Sequence, residues 1–268
     1  MENNILFAFM LTLFAGLATG VGSLIGFLSK KFNPKLLTIS LGFSAGVMIY
    51  VSMIEIFVKA RDSLSIALGD KPGYTVTVIA FFVGIFIIAI IDKLIPSYEN
   101  PHEFNVSKKI EDASEKDKKK LLRMGLFSAL AVGIHNFPEG LATFMSGLAN
   151  PTLGISIAVA IAIHNIPEGL AVSAPIYYAT KSRKKAFLLS FLSGLAEPVG
   201  ALIGYFLLRS FFNETTFGII FAAVAGIMIY ISLDELLPTA EEYGEHHLAI
   251  GGLIAGMIVM AISLLLFV

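Results

Sequence analysis

Long hydrophobic runs separated by polar segments dominate this chain. Each run is about 20 or more residues long, which is the length that an α-helix needs to cross the hydrocarbon core of a bilayer. Only the polar segment between the third and fourth runs is long. The pattern predicts an all-α integral membrane protein with eight transmembrane helices, at residues 5–28, 36–58, 74–95, 122–147, 152–178, 186–210, 215–237 and 247–267.

The composition agrees with this class. Hydrophobic residues make up 56% of the chain, charged residues make up 15%, and the mean hydropathy is +0.81, far above the usual balance of a soluble domain. A net charge of −1 gives no reason to expect nucleic acid as a partner. The absence of cysteine excludes disulfides and thiolate metal sites. The lipid bilayer is therefore the expected environment.

The positive charges predict how the helices are oriented. Fifteen of the 19 Lys and Arg residues fall in loops that would share one side of the membrane, and cytoplasmic loops collect such residues. We therefore expect a multi-pass protein of the cell membrane with both termini outside the cytoplasm. The polar stretch 98–121 is interpreted as a flexible cytoplasmic loop within a single transmembrane domain, residues 1–268.

Two pairs of segments resemble each other. Residues 46–55 (GVMIYVSMIE) match residues 226–235 (GIMIYISLDE) at six of ten positions, and GLATGVGSLIG from Gly16 resembles GLAEPVGALIG from Gly194. The partners are five predicted helices apart, so they cross the membrane in opposite directions. This is typical of an inverted repeat, here of predicted helices 1–3 and 6–8 around helices 4 and 5, in a 3+2+3 arrangement. Chance similarity between apolar helices is the alternative.

A six-residue motif occurs twice inside the hydrophobic runs. Residues 135–140 read HNFPEG and residues 164–169 read HNIPEG. A helix turns by about 100° per residue, so the glutamate of each motif projects between the histidine and the asparagine. A carboxylate has two oxygens, so each glutamate could reach one metal ion on the histidine side and another on the asparagine side. The candidate ligands are His135, Asn136, Glu139, His164, Asn165 and Glu168, with Glu197 of predicted helix 6 as a third carboxylate.

The charge of these acids indicates a bound cation. A buried acid costs about 2.5 to 3.5 kcal/mol on insertion scales, and no Lys or Arg lies nearby in the sequence. Imidazole, carboxylate and amide ligands suit zinc, iron(II), manganese, cobalt and cadmium, rather than copper(I), magnesium or calcium. Interhelical hydrogen bonding and a proton relay are alternative roles. An intramembrane metal-dependent hydrolase is the alternative from another class, although the chain has no HExxH motif.

At this point the chain resembles a known family over essentially its whole length. HNFPEGLATF, HNIPEGLAVS and GLAEPVGA are similar to the motifs of ZIP-family divalent metal transporters, and most closely to the bacterial ZupT group. The resemblance implies eight helices, no enzymatic activity and no cofactor. It also implies uptake of zinc, and of iron, manganese, cobalt or cadmium, into the cytoplasm by a homodimer in which one helix bundle moves against another.

The resemblance also implies roles for individual residues. A first metal site would use the two histidines and the two motif glutamates. A second would use the two asparagines, the same glutamates and Glu197. Further candidates for ligands at the entrance or exit are Asp92 and His102, from the similarity of DKLIPSYENPHE to the family, and Glu55, Asp234 and Glu235, from the repeat. A selective metal channel built on the same site is an alternative to a carrier.

Overall fold

The computed structural model of the protein describes residues 2–28, 34–94, 115–208, 213–243 and 245–265. Every regular element in these ranges is a helix. The α-helices are α1 (Glu2–Leu28), α2 (Pro34–Val51), α3 (Phe57–Leu68), α4 (Asp70–Leu94), α5 (Glu115–Ala149), α6 (Pro151–Thr180), α7 (Arg183–Gly194), α8 (Ala196–Leu208), α9 (Glu214–Ile231), α10 (Leu237–Tyr243) and α11 (His246–Leu265).

Seven helical stretches of the described ranges are long and apolar enough to cross a membrane. They are Asn4–Ile25, Lys35–Leu68, Asp70–Lys93, Pro151–Thr180, Arg183–Leu207, Glu214–Glu241 and His246–Leu265. Each coincides with one of the predicted spans, which confirms an all-helical, multi-pass membrane protein. The remaining predicted span, 122–147, lies within α5, which is not among the seven.

Helix α5 begins earlier than its predicted span. It starts at Glu115, seven residues before the predicted edge at residue 122. The added residues are Glu, Lys, Asp and Leu, and Glu, Lys and Leu in particular have high helix propensity. The predicted loop therefore contributes its last residues to a helix, while residues 98–114 lie outside the described ranges.

The turn between α5 and α6 makes these helices neighbours. A single residue, Asn150, separates them. Its side-chain oxygen accepts hydrogen bonds from the backbone N–H groups of Thr152 and Leu153, at 2.9 and 3.2 Å, and Pro151 occupies the first helical position. Both features favour a helix start. The two motifs consequently lie on adjacent, antiparallel helices that pack along each other.

The helices form two groups that meet near the motifs. Helices α1, α5, α6, α7 and α8 pack on one another, while α2 packs on α11 and α10, and α4 packs on α9 and α3. The main contacts between the groups join α2 to α6 and α5 to α9. Each motif-bearing helix therefore faces one helix of the second group.

Two π-helical turns lie at matching places in the sequence. They cover Ser52–Ile56, between α2 and α3, and Ser232–Leu236, between α9 and α10. Both overlap the similar segments 46–55 and 226–235. A π turn inserts an extra residue into a helix and is frequent at functional sites, so the two segments share a local backbone feature as well as a sequence.

The same segments make matching close contacts. A Cβ atom at Gly46 of α2 would overlap the Leu253 carbonyl of α11, and one at Gly226 of α9 would overlap the Phe81 carbonyl of α4. Only glycine permits this approach of two backbones, which is a frequent packing mode of membrane helices. Thus α2 packs on α11 much as α9 packs on α4.

Candidate metal centre

Six of the seven predicted ligands have described side chains, and all six are fully buried. They are Asn136 and Glu139 of α5, His164, Asn165 and Glu168 of α6, and Glu197 of α8, each with 0% exposure. The seventh, His135, belongs to α5, but its side chain lies outside the described residues. Sequence spacing therefore identified a set of buried polar side chains on three helices that contact one another.

The imidazole of His164 connects the two motif helices. Its Nε2 lies 3.3 Å from Oε2 of Glu139, which places a histidine of α6 beside the glutamate of α5. Imidazole nitrogen and carboxylate oxygen are both ligands of zinc and of related transition metals. The pair is therefore a candidate for two ligands of one ion.

The two asparagines are held in matching ways. Asn165 Nδ2 donates a hydrogen bond of 2.9 Å to the carbonyl of Ala15 in α1, and Asn136 Nδ2 donates one of 3.2 Å to the carbonyl of Ser193 in α7. Asn165 Nδ2 also donates to Glu197 Oε1. Because the amide nitrogens are engaged, the amide oxygens are the atoms left to bind a cation.

Four buried oxygen atoms of the set have no hydrogen-bond partner among the described residues. They are Asn136 Oδ1, Glu139 Oε1, Asn165 Oδ1 and Glu197 Oε2. Buried polar atoms in folded proteins are nearly always paired, and an unpaired one costs about 1 to 3 kcal/mol. Carboxylate and amide oxygens without a donor are what a divalent cation with oxygen ligands requires, so this donor set fits a metal substrate.

The described side chains alone do not complete a metal site of His, Asp and Glu. In the described ranges, no three such side chains are close enough together to hold one ion. That statement does not cover the amide oxygens of asparagine or the imidazole of His135. The predicted ligand set therefore stays a prediction in its details, although its described members are buried near one another.

Glu197 owes its position to a break between two helices. Helix α7 ends at Gly194 and α8 begins at Ala196, so Glu197 lies in the first turn of α8. The following Pro198 has no N–H and suits the start of a helix. The first turn of a helix carries partial positive charge, which stabilises a carboxylate there.

One contact to this centre was not predicted. Ser44 of α2 is fully buried, and its Oγ lies 3.4 Å from Glu168 Oε1 and 3.3 Å from the carbonyl of His164. It is a contact from the second helix group. A single serine in an apolar helix gives no sequence signal of such a role, because serine is common in membrane helices.

The peripheral candidates lie apart on several elements. Glu55 lies in the first π turn with Lys59 at 4.0 Å. Asp234, in the second π turn, lies close to Tyr230, and so does Asp92. Glu235 is half-buried. His102 lies outside the described residues. Asp92 and Asp234 are thus near one tyrosine, while Glu55 has a cationic neighbour of its own.

A cavity of about 620 Å³ opens at the ends of several helices. Its lining includes the start of α1, the end of α5 and the start of α9, for example Asn4, Met145 and Phe217. None of the predicted ligands lines it. Met145 lies on the same helix as Glu139, so the cavity approaches the centre along α5 without reaching it.

Comparison with known proteins identifies the family. The model of the ZIP zinc transporter family matches residues 92–264. A zinc transporter ZupT of Chlorobaculum parvum is 81% identical over 267 residues, which cover 100% of both chains. The chain belongs to the ZIP family.

Zinc transporters of other organisms are also similar to this chain. The zinc transporter ZupT of Streptococcus mutans is 64% identical over 100% of both chains, and that of Clostridium perfringens is 62% identical over 99% of this chain and 98% of its own. Members of the ZIP family are transporters, so this protein is a transporter and not an enzyme. The intramembrane hydrolase considered from the sequence is thereby removed.

Proposed function

We propose that this protein takes up zinc across the cell membrane into the cytoplasm through a two-metal centre on α5, α6 and α8. The four buried oxygen atoms without a described partner carry the proposal. Two of them belong to the carboxylates of Glu139 and Glu197, with no described Lys or Arg beside them, and a divalent metal ion would supply the compensating positive charge. Relatives named as zinc transporters, up to 81% identical, support zinc as the substrate.

In this proposal the motif glutamates bridge two ions. The first ion would bind His135, Glu139, His164 and Glu168. The second would bind Asn136, Asn165 and Glu197 together with the same two glutamates. Helix geometry favours this bridging, because each glutamate projects between the histidine and the asparagine of its motif. The contact between His164 and Glu139 supports the first site, and the contact between Asn165 and Glu197 supports the second.

The ligands define the class of ion that can pass. Imidazole and carboxylate bind zinc, iron(II), manganese, cobalt and cadmium, so we expect these ions to compete with zinc. The ion exchanges some of its water for protein ligands on entry and regains water on release. Bridging carboxylates lower the cost of holding two cations close together, because each glutamate offers one oxygen to each ion.

We further infer eight transmembrane helices built on an inverted repeat. Helix α5 would be the eighth, in addition to the seven helical stretches that are long and apolar enough to cross a membrane. Matching π turns, matching glycine contacts and matching asparagine hydrogen bonds support the repeat. Inverted repeats allow the same packing to open to either side of the membrane. Both termini would lie outside, with the cavity near the start of α1 on the entry side.

Transport by a moving bundle is preferred to a channel. The structure divides into two helix groups with a limited number of contacts between them, which suits movement of one group against the other. We also expect a homodimer, as the family resemblance implies. The peripheral acids Glu55, Asp92, Asp234 and Glu235 would attract ions at the two ends of the path, with His102 as a further exit ligand.

Radiolabelled zinc uptake into proteoliposomes tests the function. Saturable, strongly temperature-dependent uptake that iron, manganese, cobalt and cadmium inhibit would support a carrier with this ligand set. Uptake that rises linearly with zinc and depends weakly on temperature would favour the channel. Absence of zinc flux from well-inserted protein would contradict the proposal.

A further inference from the structure

Thr19 of α1 is a buried residue whose hydroxyl has no described partner. It is 0% exposed, and its Oγ1 accepts or donates no hydrogen bond among the described residues. Thr12, on the same helix and equally buried, donates instead to the carbonyl of Ala8 at 3.0 Å. Thr12 thus makes the usual hydrogen bond of a threonine in a membrane helix, to the backbone carbonyl four residues earlier, and Thr19 does not.

Thr19 is the counterpart of Glu197 in the repeated sequence. GLAT from Gly16 and GLAE from Gly194 place the two residues at the same position. Their backbones also make the same contact. A Cβ atom at Gly169, which ends the second motif, would overlap the Thr19 carbonyl, and one at Gly140, which ends the first, would overlap the Glu197 carbonyl.

The flanking helices keep this correspondence. A Cβ atom at Gly22 of α1 would overlap the carbonyl of Ile166, and one at Gly200 of α8 would overlap the carbonyl of Phe137. Ile166 and Phe137 occupy the same position in the two motifs. Helix α1 therefore lies on α6 as α8 lies on α5, with Thr19 and Glu197 at equivalent positions.

The side chain of Glu197 shows where that of Thr19 is directed. The backbone of Glu197 contacts α5, but its side chain accepts a hydrogen bond from Asn165 of α6. The corresponding partner of Thr19 is Asn136 of α5. Thr19 Oγ1 would be 2.8 Å from a Cβ atom at Gly194, and Asn136 is hydrogen-bonded to the adjacent Ser193. Both groups therefore lie beside the same turn of α7.

We propose that the Thr19 hydroxyl holds a water molecule of the hydrated divalent cation on the Asn136 side of the second metal position. This inference rests on the proposed function. Threonine is shorter than glutamate by two bonds, so its hydroxyl reaches the ion through a water molecule where Glu197 reaches it directly. Water molecules that bridge protein and ligand bind nearly as well as direct contacts. The unpartnered Asn136 Oδ1 would accept from the same water.

The consequence is a metal position with unequal halves. Apart from the bridging motif glutamates, the Asn165 side carries the carboxylate of Glu197, while the Asn136 side carries only neutral oxygens from Thr19 and Asn136. Groups that orient metal ligands or bound water typically change metal affinity 10- to 100-fold when they are removed. Thr19 is therefore a positioning residue for the substrate ion.

Kinetics of zinc uptake into proteoliposomes tests this role with matched variants. Thr19→Val removes the hydroxyl at constant shape, and Thr19→Ser retains it. Thr12→Val makes the same change about two helical turns earlier in α1. We expect Thr19→Val to raise the KM for zinc by about tenfold with Vmax within twofold of wild type. We expect Thr19→Ser and Thr12→Val to match wild type. Zinc titration calorimetry of the purified variants should show the same loss of affinity without turnover.

Two results would overturn the assignment. One is a wild-type KM and wild-type zinc affinity in Thr19→Val. The other is an equal defect in Thr19→Val and Thr19→Ser, which would indicate packing. If Thr19→Val is not recovered in the membrane, Thr19→Ala removes the same hydroxyl with less bulk. Wild type and Glu139→Gln are measured in the same experiment. If the proposed function is wrong, wild type itself shows no saturable uptake; if only the role of Thr19 is wrong, wild type transports zinc and Glu139→Gln does not.

Discussion

Nε2 of His164 lies 3.3 Å from Oε2 of Glu139 in the buried interface between α5 and α6. The pair connects the two copies of the motif, since the histidine belongs to one copy and the glutamate to the other. Neither side chain is exposed. A metal ion bound by both would therefore hold the two helices in one relative position.

Removal of this imidazole should weaken zinc binding. We expect His164→Ala to raise the KM for zinc by about tenfold or more, because one nitrogen ligand is lost. His246→Ala is the matched control, since His246 is exposed and pairs with Glu241 at 2.6 Å on the surface, where ion pairs contribute little. Equal KM values for the two variants in zinc uptake would contradict a ligand role for His164.

Exchange of one amide for a carboxylate should disturb the second metal position. Asn165 Nδ2 donates to Glu197 and to the carbonyl of Ala15, and an aspartate there cannot donate while it is ionised. Asn165→Asp should therefore place two acids together and lower zinc uptake at least tenfold.

Asn150→Asp provides the control for that change. Asn150 is exposed and caps α6 by accepting hydrogen bonds from the N–H groups of Thr152 and Leu153, and aspartate caps a helix as well as asparagine does. Uptake by Asn150→Asp should equal that of wild type. If both aspartate variants transport zinc normally, the Asn165 amide has no role in the centre.

Close packing of α1 on α6 should be essential for the position of the second motif. A Cβ atom at Gly22 would overlap the backbone carbonyl of Ile166, whereas one at Gly251 would meet no atom within 4 Å. We expect Gly22→Ala to destabilise the protein by about 1 to 3 kcal/mol, as overpacking does, and Gly251→Ala to be neutral. Thermal unfolding in detergent measures both, and a neutral Gly22→Ala would contradict the packing described for α1.

The hydropathy pattern predicted most of the fold, because the length of a membrane span is set by the bilayer. It did not predict the π turns at Ser52–Ile56 and Ser232–Leu236, since a hydropathy pattern does not distinguish a π turn from a regular α-helix. The start of α5 at Glu115 was also missed. Charged residues after the polar loop continue a helix without changing the hydropathy that marked the span.

The candidate centre was predicted from a local motif, so residues outside the motif that contact the centre could not be identified from the sequence. Residues of HNFPEG and HNIPEG, and Glu197, stand out because charged and amide groups are rare in membrane helices. Ser44 and Thr19 do not stand out, because hydroxyl side chains are common there. Their nearness to the centre follows from the packing of α2 on α6 and of α1 on α6 and α7, which a single sequence does not show.

Zinc should also stabilise the purified protein. An ion that binds only the folded state adds about 2.7 kcal/mol of stability when its concentration is 100 times its Kd. We expect zinc to raise the unfolding temperature of wild type, and chelation to reverse the increase. The increase should be absent from Glu168→Gln, which loses a proposed bridge, and an unchanged increase in that variant would contradict bridging by Glu168.

The most direct test of the central claim is zinc uptake by Glu139→Gln in proteoliposomes, beside wild type and Glu245→Gln. Glu139 is fully buried and would bridge both ions, while Glu245→Gln makes the same change at an exposed position just before α11. The account predicts that saturable uptake is lost in Glu139→Gln and retained in Glu245→Gln, with equal membrane insertion. Normal uptake by well-inserted Glu139→Gln would contradict a metal path through this centre.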